Sequence, residues 1–474
     1  MSTLKKKNII DFTEGSLIKK LIIFTLPIIG NQLLQTMYNT VDMMVVGQYA
    51  PNGAIAMAAV GACGPLVRLF INFFFGIAAG VGVCVAQKIG AHEEKEVEKY
   101  VHTAATMSFI CGIIIMIVGF IATEPLLILT GVEDPEIPEL LPEATAYMRA
   151  YFIGIPAMMV LNFLSASLRA AGDTIHTMIF MAIAGAVHVV VNIVIVVCFG
   201  LGAVGVGIGT TITQTLAAVM IIVYMMRLDG MCRLSFKKLA MFKENVIGIL
   251  HNGIPVGLQN TIFAISNVIV QTNVNAYGPV VIAGASAAAN LEGYVYTIMN
   301  AIAVAVITVV SQNVGAGKYD RVRKIVLMSV IAVTVIGLVL GALITLFGDQ
   351  LLGLYISDDG KLDPEQVKEA GMTRLLLTCL PYFLCGIMEC LTSALKGMRR
   401  AFTSMILSVI GLCGFKIAWI SVMKVIFPGN VAMLYLSFPL AWILTSVMSL
   451  IVFMIAYKQM SKGSKERELL GRAI

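Results

Sequence analysis

The chain has 474 residues, 58% of them hydrophobic and 13% charged, with a formal net charge of +6. Soluble domains carry about 25% charged residues, so this composition cannot clothe a water-facing surface. It excludes a soluble enzyme, a disordered chain and a disulfide-stapled secreted domain, and leaves the positive charge to be explained by membrane topology rather than by nucleic acid.

After a polar start containing Lys5, Lys6 and Lys7, apolar runs follow over about 17–46, 54–86, 95–122, 141–168, 174–199, 202–226, 246–276, 281–314, 321–347, 367–395, 401–427 and 431–457. Each is long enough to cross a hydrocarbon core about 30 Å thick. The runs are continuous rather than alternating, which argues against an outer-membrane barrel. The first is too long for a signal-peptide core, so no cleavable leader is expected. The fold class expected is an all-α polytopic membrane protein with twelve transmembrane helices, called spans 1 to 12 below.

Basic residues alternate from loop to loop. They gather at the amino terminus, between spans 6 and 7 (Arg227, Arg233, Lys237, Lys238, Lys243), between spans 8 and 9 (Lys318, Arg321, Arg323, Lys324), after span 10 (Lys396, Arg399, Arg400) and in the tail. With Lys88, Lys95, Lys99 and Arg169 they make up about 26 of the 33 Lys and Arg residues. The positive-inside rule assigns that side to the cytoplasm, so both termini are expected there. The opposite loops are neutral or acidic, as at Glu133, Asp134, Glu136, Asp358, Asp359 and Asp363.

The nine cysteines show no CxxC pair or Cys/His metal spacing. They read as small buried hydrophobes, and neither a metal site nor a cofactor is expected. No P-loop, GxSxG, HExxH or DFG-like pattern occurs, so no enzyme is expected.

The two halves resemble each other at a spacing of roughly 225–228 residues. Thr25-Leu26-Pro27 lies opposite Gly253-Ile254-Pro255, Asn39 opposite Asn267, and Gln87-Lys88-Ile89-Gly90-Ala91 opposite Gln312-Asn313-Val314-Gly315-Ala316. Pro156 matches Pro381, and Gly172 is set against Gly397. Six spans per half mean that both halves enter from one side, so their pseudo-two-fold axis runs along the membrane normal. The expected organisation is an N-terminal six-helix lobe (1–226), a cytoplasmic linker (227–245), a C-terminal six-helix lobe (246–457) and a cytoplasmic tail (458–474). Two like bundles around a cleft suit a secondary transporter, and the fused halves make a monomer sufficient.

Leu26-Pro27 through Tyr38-Asn39-Thr40-Val41-Asp42 resembles the span 1 signature of the multidrug and toxic compound extrusion (MATE) family. Gln312-Asn313-Val314-Gly315-Ala316 with Arg321 resembles its signature after span 8. Leu168-Arg169-Ala170-Ala171-Gly172-Asp173 and Leu395-Lys396-Gly397-Met398-Arg399 resemble its paired motifs after spans 4 and 10. The resemblance covers essentially the whole chain. It implies export of small organic cations driven by inward H⁺ or Na⁺, with alternating access of a central cavity, in a bacterial cytoplasmic membrane. A lipid-linked precursor flippase of the same superfamily and a passive channel are the alternatives.

Polar groups inside the spans carry the candidate chemistry, because a charge in hydrocarbon costs at least about 2.5–3.5 kcal/mol. Gln32, Gln35, Asn39 and Asp42 recur at helical spacing on span 1, giving one polar stripe that lipid would not tolerate. Asp42 is the primary coupling candidate; a second reading places it at a hydrated outer mouth. Pro27 and, by the repeat, Pro255 mark expected helix bends. On span 5, His188 and Asn192 share a face. His188 is open to two readings, a proton relay and a structural histidine. Some family members add an acid one turn beyond such an asparagine, where this chain has Val196.

Glu292 is the second-lobe coupling candidate, since span 7 has no acid between Pro255 and Tyr277. Glu389 is divided between cation binding and a salt bridge to Lys416. Arg68 either pairs with Asp42 or snorkels. Contacts to a lipophilic cation are expected from Gln35, Tyr38, His188, Asn267, Tyr294, Tyr296 and Glu389. Asp42 faces Val270 in the repeat and Glu292 faces Pro65, so the halves are chemically unequal.

Overall fold

The structure, a computed structural model, describes residues 10–50, 53–132, 137–356 and 362–472. Acidic loop residues Glu133, Asp134, Glu136, Asp358 and Asp359 lie outside the described residues.

A chain this apolar must satisfy its backbone polar groups internally, and helices do so within each segment. Among the described residues, twelve helices are long and apolar enough to cross a membrane. They are span 1 Leu17–Tyr49, span 2 Gly53–Gly90, span 3 Glu94–Leu129, span 4 Leu140–Ala170, span 5 Ile175–Cys198 and span 6 Ala203–Arg227. Span 7 Lys243–Asn275, span 8 Pro279–Gly315, span 9 Tyr319–Leu346, span 10 Pro364–Gly397, span 11 Ala401–Ile426 and span 12 Val431–Lys462 follow. Their 24 to 38 residues exceed the span of a bilayer, so the polar ends continue as helix beyond the apolar runs.

The helices form two compact units. One takes in Leu26–Ile254 and the chain up to Asp11; the other takes in Phe12–Thr25 and the chain from Pro255 onward. The changeover therefore falls inside span 1 and inside span 7. Pro27 and Pro255 lie within these continuous helices, and each leaves the carbonyl four residues earlier without its helical donor. In the first unit the most buried helix is span 4, packed against spans 2, 3 and 6. In the second, span 10 packs in the same way against spans 8, 9 and 12. The neighbours repeat as the sequence does.

The signature after span 8 is a receptor for the chain's own amino-terminal segment, all within the second unit. Phe12 N–H donates to Gln312 Oε1 at 3.1 Å, and Asn313 Nδ2 donates to the Phe12 carbonyl at 3.2 Å. Lys318 donates to the Thr13 carbonyl (3.0 Å), and Arg321 donates to the carbonyls of Phe12 and Gly15 (both 3.1 Å). Phe12 is fully buried, edge-on to Phe24 with ring centroids 4.9 Å apart.

Spans 2, 4, 8 and 10 end on one kind of turn, with a left-handed residue at His92, Gly172, Gly317 and Arg399. The amide of the next residue reaches back to close it, as Asp173 N–H does to Leu168 O and Arg400 N–H to Leu395 O (both 2.9 Å). This corrects the repeat alignment. The counterpart of Gly172 is Arg399, whereas Gly397 lies inside the helix, where an added Cβ would fall 2.9 Å from Val310 Cγ1 and 3.0 Å from Ile307 O. Gly172 is doubly constrained: its φ is +88°, and a Cβ would lie 2.6 Å from the backbone N and O of Ile10. Gly172→Ala is expected to lower stability by at least the about 1–2 kcal/mol of left-handed strain. Thermal unfolding in detergent measures it, and an unchanged midpoint would contradict the assigned backbone.

Candidate functional site

Span 1 delivers Asp42 to a pocket made by spans 5 and 6 in the first unit. Asp42 Oδ1 lies 2.7 Å from His188 Nε2, with side-chain exposures of 16% and 6%. Asn192, one turn further along span 5, donates through Nδ2 to the same carboxylate oxygen. It also lies 3.1 Å from His188 Nε2. On the other side of the ring, His188 Nδ1 is 3.0 Å from the Thr213 hydroxyl of span 6.

Two glycines make room for this packing. An added Cβ at Gly209 would fall 1.8 Å from Asn192 Oδ1, and one at Gly185 would fall 1.6 Å from the Tyr38 ring. Tyr38 donates its hydroxyl to the Met181 carbonyl at 2.9 Å, and its ring centroid lies 6.0 Å from that of His188. Beyond Asn192 the helix opens into a π turn over Val194–Cys198, a distortion often found at functional sites. Val196, where some family members carry an acid, is fully buried within it.

The structure thus brings together Asp42, His188 and Asn192, and adds Thr213. Thr213 is one turn beyond Gly209-Thr210 on a small, polar stretch of span 6, the only sequence signal for it. Gln35 is half-buried, and the side chain of Asn39 lies outside the described residues. Arg68 is exposed and forms no ion pair with Asp42 among the described residues. Histidine and amide donors take the role that the sequence reading offered to Arg68.

In the second unit Glu292 does not wait for an external cation. Arg374 of span 10 grips it from Nε and Nη2, both at 2.9 Å, and Thr378 donates to Oε1. Both side chains of the ion pair are 10% exposed. The guanidinium also lies 5.7 Å from the centre of the Tyr435 ring. Thr378 sits in a second π turn, Leu375–Cys379, which directly follows Arg374. Glu292, expected as the coupling acid of the second lobe, is thus engaged in an internal salt bridge with Arg374. An arginine inside the tenth apolar run was its sequence signal.

Glu389 and Lys416 are both buried, yet no ion pair within 4.0 Å joins them among the described residues. Lys416 instead points at the face of Phe438, 4.1 Å from its centroid. The side chains of Asn267, Tyr294 and Tyr296 are exposed. Among the described residues no group of three or more His, Cys, Asp or Glu could hold a metal ion.

The MatE family profile matches twice, over residues 27–194 and 255–420, each time starting at one of the two helix prolines. The chain belongs to the MatE family. It is 24% identical to the probable multidrug resistance protein YoeA of Bacillus subtilis, over 85% of this chain and 86% of that one. It is 29% identical to the probable multidrug resistance protein YpnP of the same organism, over 73% and 76%. The crystal structure of a MATE transporter in the bent conformation superposes with a TM-score of 0.88 at 18% identity, covering 97% of this chain and all of that one. This MatE chain therefore has the fold of that transporter and the polytopic membrane character of its family.

Proposed function

We propose that the chain is a secondary active exporter of small organic cations, working by antiport against H⁺ or Na⁺ with alternating access of a central cavity. The observation that carries this reading is the half-buried Asp42, held by His188 and Asn192 on largely apolar helices. An intramembrane carboxylate is maintained against its cost only where it exchanges charge or pairs with it. The multidrug names of YoeA and YpnP support the substrate class. Gln35, Tyr38, Asn267, Tyr294, Tyr296 and Glu389 are proposed to meet the passenger. The charge asymmetry of the loops supports a cytoplasmic membrane with both termini inside, and the lobes are proposed as 1–226 and 246–457. A monomer suffices, and no catalysis is assigned.

The test is accumulation of ethidium in inverted membrane vesicles, with pH and sodium gradients imposed one at a time. Uptake driven by one gradient and collapsed by its ionophore is expected. Absence of uptake under both would overturn the reading.

A further inference from the structure

Lys416 of the second unit lies deep in span 11, 2% exposed and ten residues from the helix end at Ile426. At 1.5 Å per residue that is about 15 Å, too far for a lysine stem to carry its charge back to water. A π turn over Val409–Gly414 ends just before it, a distortion that re-aims the side chains following it. The ammonium has three donors. One side of it rests on the Phe438 ring, and among the described residues no hydrogen bond or ion pair takes up the rest. Arg374 is committed to Glu292, so that pair offers Lys416 no free carboxylate. An intramembrane charge without a counter-charge is costly, and the cost is met when a ligand brings the counter-charge.

Glu389 of span 10 is the mirror case in the same unit. It is 7% exposed, and its carboxylate has no hydrogen bond or ion pair among the described residues. A strip of aromatic rings leads from one charge to the other. Tyr382 is two turns before Glu389 on the same face of span 10. Its ring lies 5.1 Å from that of Trp442 on span 12, and Trp442 lies 6.0 Å from Phe438, the ring beneath Lys416. Two opposite charges that do not reach each other, with ring faces along the way, complement a flat molecule that carries both signs. Resting on the reading of Glu389 as a contact for the passenger, we infer that Lys416 is an anion-binding residue that takes a carboxylate of the passenger, so the preferred substrates are aromatic organic cations that also bear an acid.

Filling the space against Phe438 needs only the aliphatic stem of Lys416, whereas holding a carboxylate needs its charge and donors. Lys416→Met keeps the length of the stem and removes the charge. It also relieves the cost of an unpaired buried ion, so the variant is expected to unfold at or above the wild-type temperature.

The probes are tetramethylrhodamine, which carries a delocalised cation and a carboxylate, and its methyl ester, which keeps the cation and lacks the acid. Binding of each to purified full-length protein is read by fluorescence anisotropy against empty micelles. Wild type is expected to bind the acid about tenfold more tightly than the ester, the size of one hydrogen bond to a charged group. Lys416→Met should bring the two Kd values together by weakening the acid alone and leaving the ester unchanged. Equal Kd values in wild type, binding of neither dye, or a preference for the acid that survives in Lys416→Met would overturn the inference. So would a Lys416→Met protein that unfolds at the wild-type temperature yet has lost both dyes, since Lys416 would then be a packing residue. Failure of the exporter reading has a separate signature: no ethidium uptake into vesicles under either gradient, with the preference for the acid intact in purified protein.

Discussion

Arg374→Leu is expected to cost about 3–5 kcal/mol, a large share of the about 5–15 kcal/mol by which a typical protein is folded. The reason is what it leaves behind. Glu292 is 10% exposed and loses two of its three donors at once, keeping only Thr378. A buried carboxylate without its counter-charge is far costlier than the absence of both partners. The double variant Glu292→Gln/Arg374→Leu should therefore recover much of the loss. Thermal unfolding in detergent and the monodisperse fraction on size exclusion measure both. A double variant no better than the single one would show that stacking on Tyr435, rather than charge pairing, holds this corner together.

Asp42→Asn should produce the opposite pattern, an intact fold with lost coupling. The amide oxygen can still accept from Asn192 and His188, so the unfolding midpoint should stay close to wild type. Gradient-driven accumulation of ethidium should fall about 5- to 150-fold, the range of coupling energies of 1–3 kcal/mol. Exchange of ethidium across vesicles without any gradient should persist. A variant that still accumulates the dye at wild-type levels would remove Asp42 from the coupling site.

The difference between these outcomes matches what could be read from residues alone. Twelve helices were legible because apolar runs of membrane length leave the backbone no other way to bond. Their ends were less so: span 3 continues past Thr123, Glu124 and Pro125 to Leu129, and span 12 runs on through polar residues to Lys462. The stripe on span 1 and the His188–Asn192 face were legible from periodicity. Their meeting was not, because periodicity gives the face of a helix but not its neighbour. For the same reason residues alone do not name Arg374 as the partner of Glu292, 82 positions away, and of the two readings of Glu389 the bridge to Lys416 gives way to a contact of Lys416 with Phe438. The signature after span 8 was recognised as a pattern, yet its use as a dock for Phe12–Gly15 depends on a tertiary contact some 300 positions distant.

Glu292 of the second unit is already paired with Arg374, and the repeat places Val270 opposite Asp42. Under the proposed antiport, Asp42 offers one exchangeable monovalent cation per turnover. Trading it for one monovalent passenger moves no net charge, so membrane voltage adds nothing to the driving force. The concentration ratio such a pump can sustain is then capped by the gradient of that ion alone, at about tenfold for each tenfold difference across the bilayer.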